Sequence, residues 1–132
     1  MIEQVVCHKY FGSSTNFVDD LNRFVGFDDG QQCCEAFGWR FYNFKDDAEA
    51  DAFDNSGNNY EDSDVDNYMS IPEPRLDDAN FAKEQPLAGS GKFKIEGSPD
   101  CNYLVLYNYH NGYYYHGFIM KDGDKEICSG AL

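Results

Sequence analysis

The sequence predicts a small, mainly β domain: an antiparallel sheet with one or two short helices. The strongest indication is the last third of the chain, where aromatic-rich runs alternate with turn sequences. The chain also has ten Tyr, eleven Phe and one Trp, which crowd into residues 37–44 and 103–118. Because disordered chains lack aromatic residues, these segments are expected to fold. A chain of 132 residues is long enough for one domain, residues 1–132, with a real core.

The first third of the chain is predicted to contain two strands and a short helix. Residues 2–11 predict the first strand. Residues 15–23 have the composition of one or two helical turns. Residues 23–27 predict another strand, which ends at the turn sequence Asp28-Asp29-Gly30.

The middle of the chain offers fewer signals. Residues 33–44 are apolar enough to be core, and the alternation from Gly38 onward predicts a strand. Residues 76–84 predict a short helix, closed by Pro86 and the glycines after it.

Four successive strands are predicted after residue 91. Asn111-Gly112 lies between two of these runs and is the strongest hairpin signal in the chain. The strands are Lys92–Glu96, Asn102–Tyr109, Tyr113–Met120 and Lys125–Cys128.

An acidic insertion, defined here as residues 45–75, interrupts this pattern. Between Lys45 and Arg75, 29 residues contain ten carboxylates and no basic side chain, in a protein of net charge −14. Like charges at this density oppose compaction, so a mobile, structureless segment is expected. The insertion is either a solvated loop or a surface that meets a basic partner. In the second case the candidate partner-binding residues are Glu61, Asp62, Asp64 and Asp66.

Composition also indicates the cellular compartment of the protein and the class of molecule that it binds. The five cysteines are an odd set, and the N-terminus has neither a basic leader nor an apolar stretch. A strongly negative protein is repelled by nucleic acid and by anionic lipid. We therefore expect a cytoplasmic protein, without direct nucleic-acid or membrane binding, whose partner is a protein.

The best metal donors in the sequence are Cys33, Cys34, His110 and His116. Thiolate and imidazole are the ligands that structural zinc prefers, although no Cys-x-x-Cys spacing is present. A two-residue turn at Asn111-Gly112 would place the two histidines on opposite faces, whereas a wider loop would let them converge. The alternative is that these residues are buried thiols and hydrogen-bonded core histidines.

No catalytic motif is recognisable, so the protein is not expected to be an enzyme. The chain has no Gly-rich phosphate loop, no His-Glu-x-x-His and no Gly-x-Ser-x-Gly. A cysteine nucleophile would need a histidine beside its thiolate and a third orienting group. The residue types exist, but no sequence context marks such a position.

Two stretches resemble the signatures of a small domain common in phages and prophages. Gln32-Cys33-Cys34-Glu35-Ala36-Phe37-Gly38 resembles its Gln-x-Cys-Cys-Glu-x-x-Gly motif. Tyr107-Asn108-Tyr109-His110-Asn111-Gly112-Tyr113-Tyr114-Tyr115-His116 resembles its Tyr-Asn-x-His-Asn-Gly-Tyr-Tyr-x-His motif. The acidic insertion is longer and more charged than the usual connector between the two motifs.

In its charge, size and phage-like motifs the chain is similar to type II anti-CRISPR proteins, including zinc-containing ones of streptococcal prophages. This resemblance implies a non-catalytic inhibitor that binds a Cas9-type nuclease and blocks loading of target DNA. It also implies a structural zinc ion held by some subset of Cys33, Cys34, His110 and His116. The alternative function is a phage domain in which these Cys and His residues perform small-molecule or redox chemistry.

Overall fold

The structure, a computed structural model, contains two antiparallel sheets and describes residues 1–6, 14–30, 36–110 and 115–132. The first sheet has the strand order β1 (Glu3–Val6), β2 (Ser14–Val18), β3 (Arg23–Asp28), β9 (Gly117–Asp122), β10 (Lys125–Ala131). The second has the order β4 (Ala36–Tyr42), β8 (Tyr103–Tyr109), β7 (Lys92–Glu96), β6 (Asn80–Phe81). A short β5 (Ser56–Gly57) adds to β8 in parallel. The mainly β, antiparallel prediction is confirmed.

The main core lies where the inner faces of the two sheets meet. Side chains alternate along each strand, so every second residue points inward. Phe17, Phe27 and Phe118 come from the first sheet, and all three are buried. The Phe93 ring of the second sheet meets the Phe118 ring edge to face, with centroids 5.9 Å apart. Aromatic contacts of this kind therefore join the two layers.

A second core covers the outer face of the second sheet and is completed by the acidic insertion. The insertion forms two short helices, α1 (Asp47–Ala52) and α2 (Asp64–Asn67). Its buried Ala50, Phe53 and Val65 pack with residues of the sheet such as Tyr103. The expectation of a structureless segment is wrong, because three apolar residues among the carboxylates bury enough surface to dock both helices.

The hairpin predicted at Asn111-Gly112 is also wrong, because the two strands that flank this sequence do not pair with each other. β8 pairs with β4 and β7 in the second sheet, whereas β9 pairs with β3 and β10 in the first. β8 is buried on both faces, between the two cores, and this favours a central position. The turn residues themselves belong to 111–114, outside the described residues.

Two predicted helices are absent from the described chain, and tertiary packing explains both cases. Residues 15–23 form most of β2 and a turn in which the Asp19 carboxylate accepts hydrogen bonds from the backbone N–H groups of Leu21 and Arg23. Residues 76–84 contain β6, whose Phe81 is fully buried in the main core. The predicted first strand is seen as β1, and residues 7–13 lie outside the described chain.

Candidate functional site

The acidic insertion is held in a defined shape, beginning with the start of α1. The Asp46 side chain caps the helix by accepting a hydrogen bond from the Glu49 N–H at 2.8 Å. The Glu49 carboxylate accepts one from the Lys45 N–H at 3.1 Å. Carboxylates in a first turn also interact favourably with the positive end of the helix dipole. Part of the acidic charge thus stabilises this local structure.

The end of α1 is bound by a buried lysine from the sheet beneath it. Lys92 of β7 is only 2% exposed. Its ammonium donates hydrogen bonds to the backbone oxygens of Ala50 at 2.8 Å, Asp51 at 3.0 Å and Phe53 at 2.6 Å. Burial lowers the pKa of Lys92, and the neighbouring carboxylates act in the opposite direction. A cation thus supplies hydrogen bonds to carbonyls at the helix end, of which that of Ala50 also accepts the Phe53 N–H.

A second cation of the sheet holds α2. The Arg40 guanidinium of β4 donates to the Val65 backbone oxygen at 2.9 Å and to the Tyr60 hydroxyl at 2.8 Å. The Tyr42 hydroxyl donates to the same Val65 oxygen at 3.2 Å. Burial raises the pKa of Tyr42 to about 12, despite the opposing effect of Arg40. This phenol therefore stays protonated, as a donor must, well above neutral pH.

Sheet cations bind insertion backbone on the inside, while most insertion carboxylates remain outside. Glu61, Asp62 and Asp66 are exposed. Asp62 accepts a hydrogen bond from the Asn59 amide at 2.7 Å, which still leaves it on the surface. Asp64 differs, because it is half-buried and accepts the Asp54 N–H at 2.7 Å. Of the four predicted partner-binding residues, three are exposed on the surface, and Asp64 has a structural contact instead.

Two exposed apolar side chains follow these carboxylates in the sequence. Tyr68 follows α2 directly and is 45% exposed, although its ring meets Phe53 edge to face at 5.3 Å. Met69 is 90% exposed. Tyr and Met are both enriched in the cores of protein–protein interfaces.

Of the predicted metal donors, His110 and His116 are described, whereas Cys33 and Cys34 lie within 31–35, outside the described residues. His116 is 1% exposed, and its Nδ1 is 2.5 Å from the Asp28 backbone oxygen. Its ring stacks on Phe37 with centroids 4.0 Å apart. His116 thus contacts residues on both sides of the 31–35 segment.

The chemistry of His116 fits a metal ligand. Since Nδ1 donates to a carbonyl, the neutral ring has its lone pair on Nε2, the arrangement found in most metal-bound histidines. The His110 ring lies against Tyr115, with centroids 4.9 Å apart. Within residues 1–6, 14–30, 36–110 and 115–132, no group of three or more His, Cys, Asp or Glu side chains could hold a metal ion. Any zinc site would therefore require the cysteines outside those ranges.

The two described cysteines, Cys101 and Cys128, have unreactive surroundings. Burial raises the pKa of both thiols, so the thiolate form is disfavoured. Cys101 is part of the main core and lies near the Ser98 hydroxyl.

Comparison of the chain with protein-family models, curated proteins and solved structures gave no match. None of the described helices is both long and apolar enough to cross a membrane.

Proposed function

We propose that this protein is a phage-encoded, non-catalytic anti-CRISPR inhibitor that binds a basic surface of a Cas9-type nuclease and keeps target DNA out. The observation that carries the proposal is the arrangement of the acidic insertion. Glu61, Asp62 and Asp66 are exposed, as are the apolar Tyr68 and Met69 that follow them in the chain, while the cations Arg40 and Lys92 bind the backbone of the insertion. The surface of the insertion thus carries negative charge together with exposed apolar side chains.

Such a surface suits a competitor of nucleic acid. A Cas9-type nuclease holds its guide–target duplex in a positively charged channel and contacts the backbone rather than the sequence. Carboxylates can be steered to that channel and occupy the places of phosphates. Tyr68 and Met69 supply apolar contacts that phosphates lack. Because the insertion is already docked on the sheet, binding requires little ordering of the chain.

Zinc has a supporting role in this proposal. An ion held by a subset of Cys33, Cys34, His110 and His116 would stabilise the fold and take no part in the inhibition. His116 would donate Nδ1–H to Asp28 and offer Nε2 to the metal.

The test is a DNA-binding assay with the guide-loaded nuclease, in which this protein is added before or after target DNA. Competition predicts inhibition when the protein is added first and little when DNA is already bound. The triple variant Glu61→Gln, Asp62→Asn, Asp66→Asn should inhibit more weakly, since it loses three exposed charges. Inhibition that is independent of the order of addition, or unchanged in the triple variant, contradicts the mechanism.

A matched control separates local charge from net charge. Glu3, Asp124 and Glu126 are exposed and belong to the first sheet or its β9–β10 turn. The triple variant Glu3→Gln, Asp124→Asn, Glu126→Gln removes the same number of charges, and it should inhibit like the native protein. Equal weakening by both triple variants would mean that only the overall charge matters.

A further inference from the structure

An open pocket of about 510 Å³ lies where the end of β3 faces β4, an edge strand of the second sheet. This volume is within the range of small-ligand sites, roughly 300–1,000 Å³. Three of its lining residues, Phe37, Trp39 and Tyr107, are aromatic, and one, Asp29, is acidic. The pocket thus combines aromatic surface with one carboxylate.

The carboxylate is oriented by a neighbouring strand. The Thr15 hydroxyl of β2 donates a hydrogen bond of 2.5 Å to Asp29 Oδ2. Thr15 itself is 2% exposed, so its surroundings hold the hydroxyl in a fixed position. A half-buried carboxylate oriented in this way can accept further hydrogen bonds from a cationic ligand, because each oxygen has two lone pairs.

The aromatic walls come from both faces of the second sheet. Phe37 and Trp39 belong to the inner face, where Trp39 meets Phe17 edge to face at 5.7 Å. Tyr107 belongs to the outer face and reaches the pocket across Gly38, its cross-strand partner. A Cβ atom at Gly38 would lie 3.0 Å from the Tyr107 hydroxyl oxygen, so a side chain there would crowd the ring. Glycine at this position thus leaves room for the phenol at the pocket.

We propose that this pocket binds the guanidinium group of an arginine side chain presented by a protein partner. Aromatic faces attract cations through their quadrupole, and a carboxylate beside them supplies the counter-charge. A guanidinium suits the pocket better than an ammonium, because it is planar, stacks on aromatic rings and donates several hydrogen bonds to one carboxylate. The net charge of −14 also draws basic partners to the protein. The lining residues lie outside the acidic insertion, whose Tyr60 contacts the Tyr107 ring at a centroid distance of 6.1 Å, and the proposal does not depend on the identity of the partner.

The test uses N-acetyl-arginine amide as the ligand and Trp39 as the reporter. Trp39 is the single tryptophan of the chain and lines the pocket, so its fluorescence reports occupancy directly. Saturable binding is expected with a dissociation constant on the order of 1 mM, because so small a ligand makes few contacts to offset the entropy that it loses on binding. N-acetyl-citrulline amide, which has nearly the same shape without the charge, should bind at least about tenfold more weakly. The lysine analogue should lie between the two.

Two variants locate the site. Asp29→Asn should weaken binding of the arginine amide about tenfold, while its side-chain oxygen can still accept from Thr15. Asp124→Asn removes an equal charge from the exposed β9–β10 turn and should leave binding unchanged. Equal binding of the arginine and citrulline amides overturns the proposal, as does equal binding of the lysine amide. An Asp29→Asn protein that remains folded by circular dichroism and binds normally also overturns it.

Discussion

The ammonium of Lys92 lies 2.6 Å from the backbone oxygen of Phe53, at the point where α1 ends. This contact joins a strand of the second sheet to an insertion whose carboxylates repel one another. The positive charge also lies beneath Asp51, Asp54 and Asp64, and it offsets part of that repulsion. Lys92 thus donates hydrogen bonds to carbonyl oxygens at the end of α1 and offsets part of the negative charge of the carboxylates around them.

Replacement of Lys92 by Met should destabilise the protein and release α1. The substitution keeps the length of the side chain but removes the Lys92 donor from three backbone oxygens, of which, among the described residues, only that of Ala50 has a second donor, the Phe53 N–H. The loss should cost about 2–3 kcal/mol in the free energy of unfolding. Chemical denaturation measures the loss. Limited proteolysis should then cut first within residues 46–55, because that segment opens locally.

Lys94→Met is the matched control. Lys94 lies two residues along β7 and pairs with Asp47 at 2.9 Å, at the exposed start of α1. Exposed ion pairs contribute under about 1 kcal/mol, so this variant should lose little stability. A Lys92→Met protein no less stable than Lys94→Met contradicts the anchoring role of Lys92.

The Arg75–Asp100 pair should appear in the acid titration. Arg75 donates to Asp100 through its guanidinium at 2.9 and 3.0 Å and through its backbone N–H at 2.7 Å, and these bonds lower the pKa of Asp100 from 3.8 to about 2. Because the folded-state pKa is below the unfolded value, the contribution to stability is complete above about pH 4 and is lost as the pH falls towards 2. The Asp100 carboxyl carbon, followed by NMR, should titrate with a midpoint near 2.

Arg75→Gln tests the cause of that shift. The variant loses the two guanidinium bonds but retains the backbone N–H, so the Asp100 midpoint should rise towards its ordinary value without reaching it. An unchanged midpoint would assign the low pKa to something other than the arginine.

The zinc proposal predicts about one equivalent of metal in protein purified without chelator. Chelation should lower the melting temperature, because binding of a structural metal is coupled to folding. Elemental analysis and thermal denaturation provide the two measurements. Among the variants Cys33→Ala, Cys34→Ala, His110→Gln and His116→Gln, those that remove true ligands should lose zinc and stability together.

Cys101→Ala separates metal loss from core damage. Cys101 is buried in the main core, so the smaller side chain should cost about 1 kcal/mol while the zinc content stays unchanged. Protein that contains no zinc at all would end the metal proposal.

Local sequence patterns are sufficient to predict some of the strands. β3, β7 and β8 follow from apolar or aromatic runs and the turn residues that bound them, because the local preference and the packing agree there. The hairpin prediction at Asn111-Gly112 was wrong because a turn sequence indicates a reversal of the chain, but it does not indicate which sheet each flanking strand joins. The helices predicted for 15–23 and 76–84 failed because Phe17 and Phe81 are needed in the core between the sheets.

The candidate site was only partly predictable, because its structure also depends on tertiary contacts. The acidic residues are visible in the sequence, but the structure of the insertion depends on Lys92 and Arg40, which bind the backbone oxygens of Ala50 and Val65, 42 and 25 residues away in the chain. In Lys92-Phe93-Lys94-Ile95-Glu96 the alternating lysines resemble an ordinary solvent face. Only the docking of α1 on that face makes Lys92 a buried residue. The one available signal was the shortage of basic residues, which makes each cation a candidate anchor.

The last prediction separates charge from apolar contact in the proposed inhibition. Removal of Glu61, Asp62 and Asp66 charges should slow association with the guide-loaded nuclease and flatten its dependence on salt, because exposed charges act mainly through steering. Met69→Ala should leave association unchanged and speed dissociation about five- to tenfold, since loss of a buried apolar contact shortens the lifetime of the complex. Both rates can be measured by biolayer interferometry over a range of salt concentrations.

Leu21→Ala is the matched control for Met69→Ala. Leu21 is 53% exposed in the turn between β2 and β3, within the first sheet, whereas Met69 follows α2 on the outer side of the second. Truncation of an exposed apolar side chain should change neither rate unless that side chain enters the interface. If Leu21→Ala speeds dissociation as much as Met69→Ala, the interface extends beyond the insertion. If Met69→Ala has no effect while the charge variant abolishes association, the complex is held by charge alone, and the apolar anchor assigned to Met69 is wrong.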